Sequence, residues 1–502
     1  MTTMNLAAIV DPHPSEQVAL VSGGRVTTYG ELRDLVARAR GGLRSLGMGD
    51  GDRLALVCGN GRDFVVLYLA ALGLGVVTVP LNPSSPAPEL EREVRTVGAR
   101  VLVADPGTAW SQVDRSAVPS VQHVVSTEPP MGGTAPFAHD LLVDDLLANA
   151  PLDVVGVDPS HLAVMMFTSG TAGAPRAAML SHGNLLANID QAQSTGADVL
   201  ATDVVYGVLP LHHIFGLNVV LGLSLARGAS VVLVRRFDPS TALDTIRERG
   251  ITVVPGAPPM WLAFSHFDDA PADSLRGVRL ALSGAARMPH EATRRLLDRF
   301  GVVLHEGYGL TEASPMVATS AGMEQRIGSV GRVLEGIRVR LVDDEGHDAV
   351  ADDAGEVWVK GPNVFLGYYN DPEATARVLT ADGWLRTGDI AVSDDDGNLW
   401  LVDRAKDLII VSGFNVYPAE VEEVLADHPA VAEAGVVGVP HPHQGEAVKA
   451  YVVLRPGVAV QEDTLVAWCL DHLARYKCPS KVLFVDELPR NANGKVLRRS
   501  LT

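Results

Sequence analysis

Cysteine is scarce, with Cys58, Cys469 and Cys478 the only three in 502 residues. Their spacing makes neither a paired metal-ligand motif nor a disulfide framework, so a cysteine-built zinc site and a small secreted scaffold are excluded and a reducing compartment is expected. Positive charge is also in short supply. Asp plus Glu outnumber Lys plus Arg by 60 to 41, for a net charge of −19. That balance argues against nucleic-acid binding, which depends on basic patches, but leaves room for an anionic small molecule met by local positive charge. Uninterrupted apolar runs of membrane length are lacking. Residues 64–81 carry no charge, yet Gly73, Gly75, Thr78 and Pro80 interrupt them, so a buried helix leading into a strand is expected and no transmembrane segment. The opening MTTMNLAAIVDPHP has neither a basic start nor a long apolar core, so we expect no signal peptide and a cytoplasmic protein. Lysine is the last scarcity. Of the 41 Lys plus Arg residues six are lysine (Lys360, Lys406, Lys449, Lys477, Lys481 and Lys495), and all but Lys360 fall in the last hundred residues. Where this chain needs plain positive charge it uses arginine.

What is present suits a multidomain globular protein: 47% hydrophobic and 20% charged residues over a length too great for one core. Amphipathic helical stretches alternate with short Val/Leu-rich strands, the pattern of an α/β fold. TYGELRDLVARARGGLRSLG reads as a helix and DRLALVC as a strand. GASVVLV, ITVVPG and RLALSGAA read as strands running into turns, where α/β folds collect ligand sites. Residues 111–136, Pro-rich and poorly patterned, read as a surface excursion. The last hundred residues form a β-rich α/β unit of their own, with Pro418 opening a helix that carries Val421, Val424 and Leu425 on one face. We place domains at 1–402 and 408–502, with a charged hinge at 403–407.

The stretch MFTSGTAGAPRAAML, residues 166–180, packs glycines and hydroxyls between an apolar run and an expected helix whose N-cap is Ser181. Consecutive N–H groups in such a turn make an anion-binding concavity, to which Thr168, Ser169 and Thr171 add hydroxyls and Arg176 a cation. The spacing is not that of a Walker A loop. Four further blocks follow in order: EGYGLTEASP, GWLRTGDI, VDRAKDLIIVSGFNVYPAEVEEVL and PRNANGKVLRRSL. With these blocks the chain resembles, over nearly its whole length, the adenylate-forming enzymes: acyl-CoA synthetases, nonribosomal-peptide adenylation domains and luciferases. Residues 383–425 look most like bacterial fatty acyl-CoA synthetases.

The resemblance implies an α/β fold with a large multi-sheet N-terminal adenylation domain and a small C-terminal lid. It implies ATP, CoA and Mg²⁺ as cofactors. By position, the loop with Thr168, Ser169, Gly170, Thr171, Gly173 and Arg176 would hold the β- and γ-phosphates. Thr311 would contact the α-phosphate and Glu312 would bind Mg²⁺. Tyr308, its ring exposed by a Gly-Tyr-Gly turn, and the turn containing Gly284 and Ala285 would hold adenine. Asp389 and Arg404 would bind the ribose, and His213 would sit beside the substrate carboxylate, with His212 a bystander. Lys495 would bridge carboxylate and α-phosphate, Lys406 would be the hinge, and Gly413 and Phe414 would line the pantetheine tunnel.

The chain departs from the family loop at Ala172, Arg176 and Ala177, where the family usually has threonine, lysine and glycine, and carries Glu306 where many relatives have glutamine. Between Val204 and Phe237 there is no Asp or Glu, while Ile214, Phe215, Leu217, Val219, Val220 and Leu221 are apolar. A substrate ammonium would be unpaired there. We therefore expect an apolar carboxylic acid, a fatty acid before an aromatic one. Alternatives are a fatty acid–AMP ligase loading a carrier protein, for which no insertion is visible between Gly331 and Gly361, and a non-catalytic adenylate sensor. Peripheral membrane contact and homodimerisation are left open.

Overall fold

The computed structural model describes residues 4–128, 140–168, 175–193, 195–343, 345–349, 353–404, 409–411, 414–441, 445–473, 475–490 and 496–501. Among them the strands form four sheets. One has eight strands, with Arg53–Val57, Val77–Pro80, Val101–Ala104 and His123–Ser126 parallel at its centre. A second has nine, in which Val204–Gly207, Ser230–Leu233, Val253–Gly256, Leu280–Ser283 and Leu304–Gly309 run parallel. Strands covered on both faces must be apolar throughout, which is why GASVVLV and RLALSGAA were readable as strands.

Helix Tyr29–Ser45 starts at Thr28, whose hydroxyl accepts the Glu31 N–H (3.2 Å) while the Glu31 carboxylate accepts the Thr28 N–H (2.9 Å). This reciprocal cap fixes its first turn, and Leu32, Val36, Ala39 and Leu43 then form one buried stripe. Helix Arg62–Gly73 is buried along Phe64–Gly73, so it is apolar all round. No helix among the described residues is long and apolar enough to cross a membrane.

Two smaller sheets follow. Arg338–Val342, Gly355–Lys360, Leu385–Ser393 and Leu399–Arg404 make an antiparallel four-stranded sheet. Ile409–Val411, Phe414–Val416, Val431–His441, Gly445–Leu454 and Lys481–Phe484 make a separate one, packed with helices Pro418–Ala426 and Glu462–His472 on their own core, which includes Val421, Leu425, Val448 and Leu465. The chain is thus an α/β protein with a large multi-sheet N-terminal part and a small C-terminal unit. Ionic contacts join the two: the Glu423 carboxylate meets Arg287 and His290, each at 2.9 Å, and Arg455 meets Glu291 at 3.1 Å.

One expectation fails here. Within residues 111–136, His123–Ser126 is a parallel strand with Val124, Val125 and Ser126 buried, so this part belongs to the core and not to a surface excursion. Of the expected hinge at 403–407, residues 405–407 lie outside the described residues.

Candidate active site

Leu162–Thr168 and Arg176–Ser181 pair antiparallel, with Thr168 opposite Arg176. The glycine-rich loop therefore closes a hairpin and does not run into a helix, which corrects the sequence expectation. The reason is that Ala177, Ala178 and Leu180 are buried in the sheet, where Arg176–Ser181 lies between Leu162–Thr168 and Gly367–Tyr368. The helix begins at His182, with the Ser181 hydroxyl accepting the Asn184 N–H at 3.0 Å. Ser169, Gly170, Thr171 and Gly173 lie outside the described residues. Arg176 is not left as a bare cation: its Nε donates to the Asp371 carboxylate (2.9 Å), and its guanidinium carbon stands 5.8 Å from the centre of the Tyr368 ring.

The turn expected to hold adenine follows strand Leu280–Ser283. Gly284 is buried, Ala285 is exposed with φ 71°, and the buried Ser283 hydroxyl has no hydrogen-bond partner among the described residues. Orphaned polar groups of this kind are what a ligand satisfies. Behind the turn lies Glu306, whose carboxyl burial pushes up and which accepts the Met288 N–H at 3.3 Å.

Tyr308 differs from its expectation. It is not displayed on a turn: it sits in strand Leu304–Gly309, bonded to Leu280–Ser283 on one side and Met316–Thr319 on the other, and its ring is 6% exposed. Its hydroxyl donates to the Asp389 carboxylate at 2.8 Å. Asp389 in turn stands directly across the strand pair from Arg404, whose side chain is not among those described. The structure thus brings Tyr308, Asp389 and the Arg404 backbone together.

Thr311 and Glu312 occupy a short 3₁₀ turn, Thr311–Ala313. The Glu312 carbonyl accepts the Phe365 N–H (2.9 Å), and its carboxylate accepts the Tyr368 hydroxyl (2.7 Å). His213 precedes a π-helix, Phe215–Gly222. Burial lowers its pKa to about 4, so the ring is neutral, and because Nδ1 accepts the Phe215 N–H (3.3 Å) the proton resides on Nε2. His212 is held to about 4 by the same cause, followed by the charge of His213, so electrostatics does not single out one of the two. Of the apolar residues expected to line an acyl pocket, Ile214, Leu217, Val220 and Leu221 are each 1% exposed and packed into the main core. Phe215 is different. A Cβ placed on Gly284 would lie 3.0 Å from the Phe215 ring, so the segment after His213 touches the adenine turn.

Sequence reading missed Tyr368 and Asp371, and the Asp-Pro pair at 371–372 was the signal available, since Asp371 caps helix Pro372–Val378. It also missed strain. Among the described residues the non-glycine positions with positive φ are Ala285 in the turn after Leu280–Ser283, Ser314 directly after the Thr311–Ala313 turn and Asn370 between Tyr368 and Asp371, and such outliers cluster at functional sites. Lys406, Gly413 and Lys495 lie outside the described residues, and of Phe414 only the backbone is described, at the start of strand Phe414–Val416.

Fold and site together define a two-part α/β protein whose larger part carries a polar, locally strained site at strand ends. The comparisons with known proteins then give the family. Residues 6–369 match AMP-binding enzyme and residues 420–495 match AMP-binding enzyme C-terminal domain. The chain belongs to the AMP-binding enzyme family. It is 37% identical to a feruloyl-CoA synthase of Amycolatopsis sp over 98% of this chain and 96% of that one. It is 34% identical to a long-chain-fatty-acid–CoA ligase of Bacillus subtilis (strain 168), over 97% and 91% respectively. Its structure matches ATP-bound MatB from Rhodopseudomonas palustris with TM-score 0.91 and 31% identity, covering 100% of this chain and 98% of that one.

Glu312 is the residue expected to take Mg²⁺. Among the described residues no group of three His, Cys, Asp or Glu side chains could hold a metal. A single carboxylate suits Mg²⁺, which keeps waters and shares substrate phosphates instead of entering an all-protein cage.

Proposed function

We propose that this chain is an ATP-dependent acid–CoA ligase that forms AMP, acting on an apolar carboxylic acid of the fatty-acid class. The observation that carries this reading is the contact of Phe215 with Gly284. It joins the neutral His213, in a segment without acidic residues, to the turn assigned to adenine, so that carboxylate and nucleotide meet.

In the first half-reaction a carboxylate oxygen attacks the α-phosphorus of ATP and pyrophosphate leaves. Asp389, held by Tyr308, accepts from the ribose diol. The loop from Thr168 to Arg176 cradles the outer phosphates, Thr311 contacts the α-phosphate, and His213 donates from Nε2 to the carboxylate without adding charge. Glu312 would hold Mg²⁺, which would neutralise phosphate charge when bound. Lys495 bridges the carboxylate and α-phosphate as negative charge develops between them. In the second half-reaction the CoA sulfur attacks the acyl carbonyl, AMP leaves with the bonding pair, and the thiol proton passes to solvent. Gly413 and Phe414 flank the incoming pantetheine after the small unit turns about Lys406.

A second reading, an aromatic acid, is favoured by the same structure. Ile214, Leu217, Val220 and Leu221 pack into the core, while the flat Phe215 ring stands at the turn. ATP–pyrophosphate exchange with octanoate, palmitate, coumarate and alanine tests both. Exchange with either fatty acid, followed by thioester on adding CoA, supports the first reading, and exchange with coumarate alone supports the second. Exchange with alanine alone would contradict the reading of an apolar acid. Exchange without thioester on adding CoA would favour an enzyme that hands its adenylate to a carrier protein, and ATP binding without any exchange would favour a sensor.

A further inference from the structure

Between the phosphate hairpin and the Glu312 turn runs a strap, residues 362–371, that no assigned role explains. Its hydrogen bonds fall on both neighbours. Leu366 N–H donates to Met179 O (2.9 Å) and Tyr369 N–H to Ala177 O (2.8 Å), which fastens it to the hairpin strand Arg176–Ser181. Asn363 Nδ2 donates to Ala313 O (2.8 Å), the Ser314 hydroxyl donates to Asn363 O (2.8 Å), and Phe365 N–H donates to Glu312 O (2.9 Å), which fastens it to the turn. Two side-chain links complete it: Tyr368 Oη donates to Glu312 Oε1 (2.7 Å), and Asp371 holds Arg176 (2.9 Å), whose guanidinium lies beside the Tyr368 ring.

We propose that Tyr368 is a positioning residue that sets the rotation of the Glu312 carboxylate toward Mg²⁺·ATP, and that the Arg176–Asp371 pair fixes the Tyr368 ring in turn. A glutamate backbone held by the strap still leaves χ3 broad and roughly two-fold. A hydroxyl on Oε1 removes that freedom, so the direction of Oε2 is set before the cation arrives. Partners that orient a ligating carboxylate typically change metal affinity or activity by about 10–100-fold when removed. The strap also ties the orientation to the hairpin carrying the phosphate loop. Arg176 therefore acts through Tyr368 as well as by its charge, which accounts for an arginine where the family has lysine: a guanidinium can bond Asp371 and lie along an aromatic ring at once. Asn370, with φ 54°, is the bend that lets Tyr368 and Asp371 face the two sides.

This inference rests on Glu312 as the Mg²⁺ ligand, and the test separates the two. Calorimetric binding of ATP at graded Mg²⁺, and of Mn²⁺ in the presence of ATP by electron paramagnetic resonance, is measured for the full-length wild type, Tyr368→Phe, Glu312→Gln and Arg176→Lys, with thermal melting as a folding check. Tyr368→Phe keeps the ring and its packing. We expect it to melt like wild type and to need about tenfold more Mg²⁺, with a smaller shift for Arg176→Lys in the same direction. Glu312→Gln should need more still. If Glu312→Gln leaves the Mg²⁺ requirement unchanged, the ligand assignment is wrong. If Glu312→Gln raises the requirement while Tyr368→Phe matches wild type in Mg²⁺ and Mn²⁺ binding, Tyr368 does not position the carboxylate. Weaker ATP binding in Tyr368→Phe with an unchanged Mg²⁺ requirement would likewise assign it a packing role and overturn the proposal.

Discussion

The large part of the molecule and the small C-terminal unit use positive charge differently. Before Arg404 the chain has a single lysine, Lys360, and several of its arginines are held in ion pairs: Arg279 with Asp203, Arg176 with Asp371, Arg100 with Asp52. The hinge and the small unit have the other five, Lys406 in the hinge and Lys495 among the four beyond it. A guanidinium fork suits a permanent partner, whereas an ammonium on a flexible stem can make and drop contacts at low geometric cost. Among the described residues the two units meet through ion pairs and not a shared apolar core, since Glu423 receives Arg287 and His290 while Val421 and Leu425, on the same helix, pack inward. A polar contact of this kind suits surfaces that separate during turnover. On the proposed mechanism the large part would be a fixed frame and the small unit the moving element.

The largest effect falls on the frame. Trp261 is fully buried, its Nε1–H donates to Leu282 O (3.0 Å) just before the adenine turn, and its ring meets Phe264 edge-on. Trp261→Ala should cost about 3–5 kcal/mol of stability and weaken ATP binding. Urea unfolding checks it, and a cost below about 1 kcal/mol would show that the turn is not braced from beneath.

Acid should also act on the frame. Burial lowers the pKa of His182, His212 and His213 to about 4. The unfolded chain, with histidines near 6.5, therefore binds protons that the folded chain refuses. Stability is complete above pH 6.5 and falls as pH drops toward 4, by up to about 1.4 kcal/mol per pH unit for each histidine. Urea midpoints at pH 7 and pH 5 measure this, and a midpoint higher at pH 5 would reverse the sign.

Smaller effects belong to the contact between the units. Glu423→Ala removes one carboxylate from Arg287 and His290, a partly exposed cluster worth about 1 kcal/mol or less. It should change the ratio of adenylation to thioester formation about two- to fivefold and leave the urea midpoint of the large part unchanged. High salt should imitate it in the wild type, and a ratio indifferent to both would make the contact incidental. The smallest effect is expected for Arg176→Lys. Lysine keeps a charge for Asp371 but loses the fork and the ring contact, so adenylation at saturating Mg²⁺ should stay within about threefold of wild type. A loss beyond tenfold would show that the guanidinium contacts phosphate in a way that lysine does not replace.

Strands buried on both faces were legible because they leave apolar runs: Ser230–Leu233 and Leu280–Ser283 announce themselves. His123–Ser126 did not, because a four-residue run among prolines looks like loop until neighbouring strands supply its partners. Tyr308 was misjudged for a related reason. Two glycines suggested a turn, yet pairing on both sides holds the residue in a sheet. Arg176–Ser181 was taken for the lead-in to a helix because its antiparallel partner, Leu162–Thr168, is visible only once the hairpin is closed. Tyr368 left no local mark at all, since its strand is two residues long and exists through pairing with Ala178 and Met179, far away in sequence. Motif order pointed to Thr311, Glu312, Asp389 and His213 as expected site residues. Their partners had to be seen in space.

Lys495→Ala, assayed for the two half-reactions separately in one preparation, tests the moving-element account most directly. Adenylation from acid and ATP should fall on the order of a thousandfold, while conversion of a supplied acyl-adenylate to acyl-CoA should continue near the wild-type rate, because the lysine has by then left the phosphates. Equal loss of both half-reactions in a folded variant would contradict it.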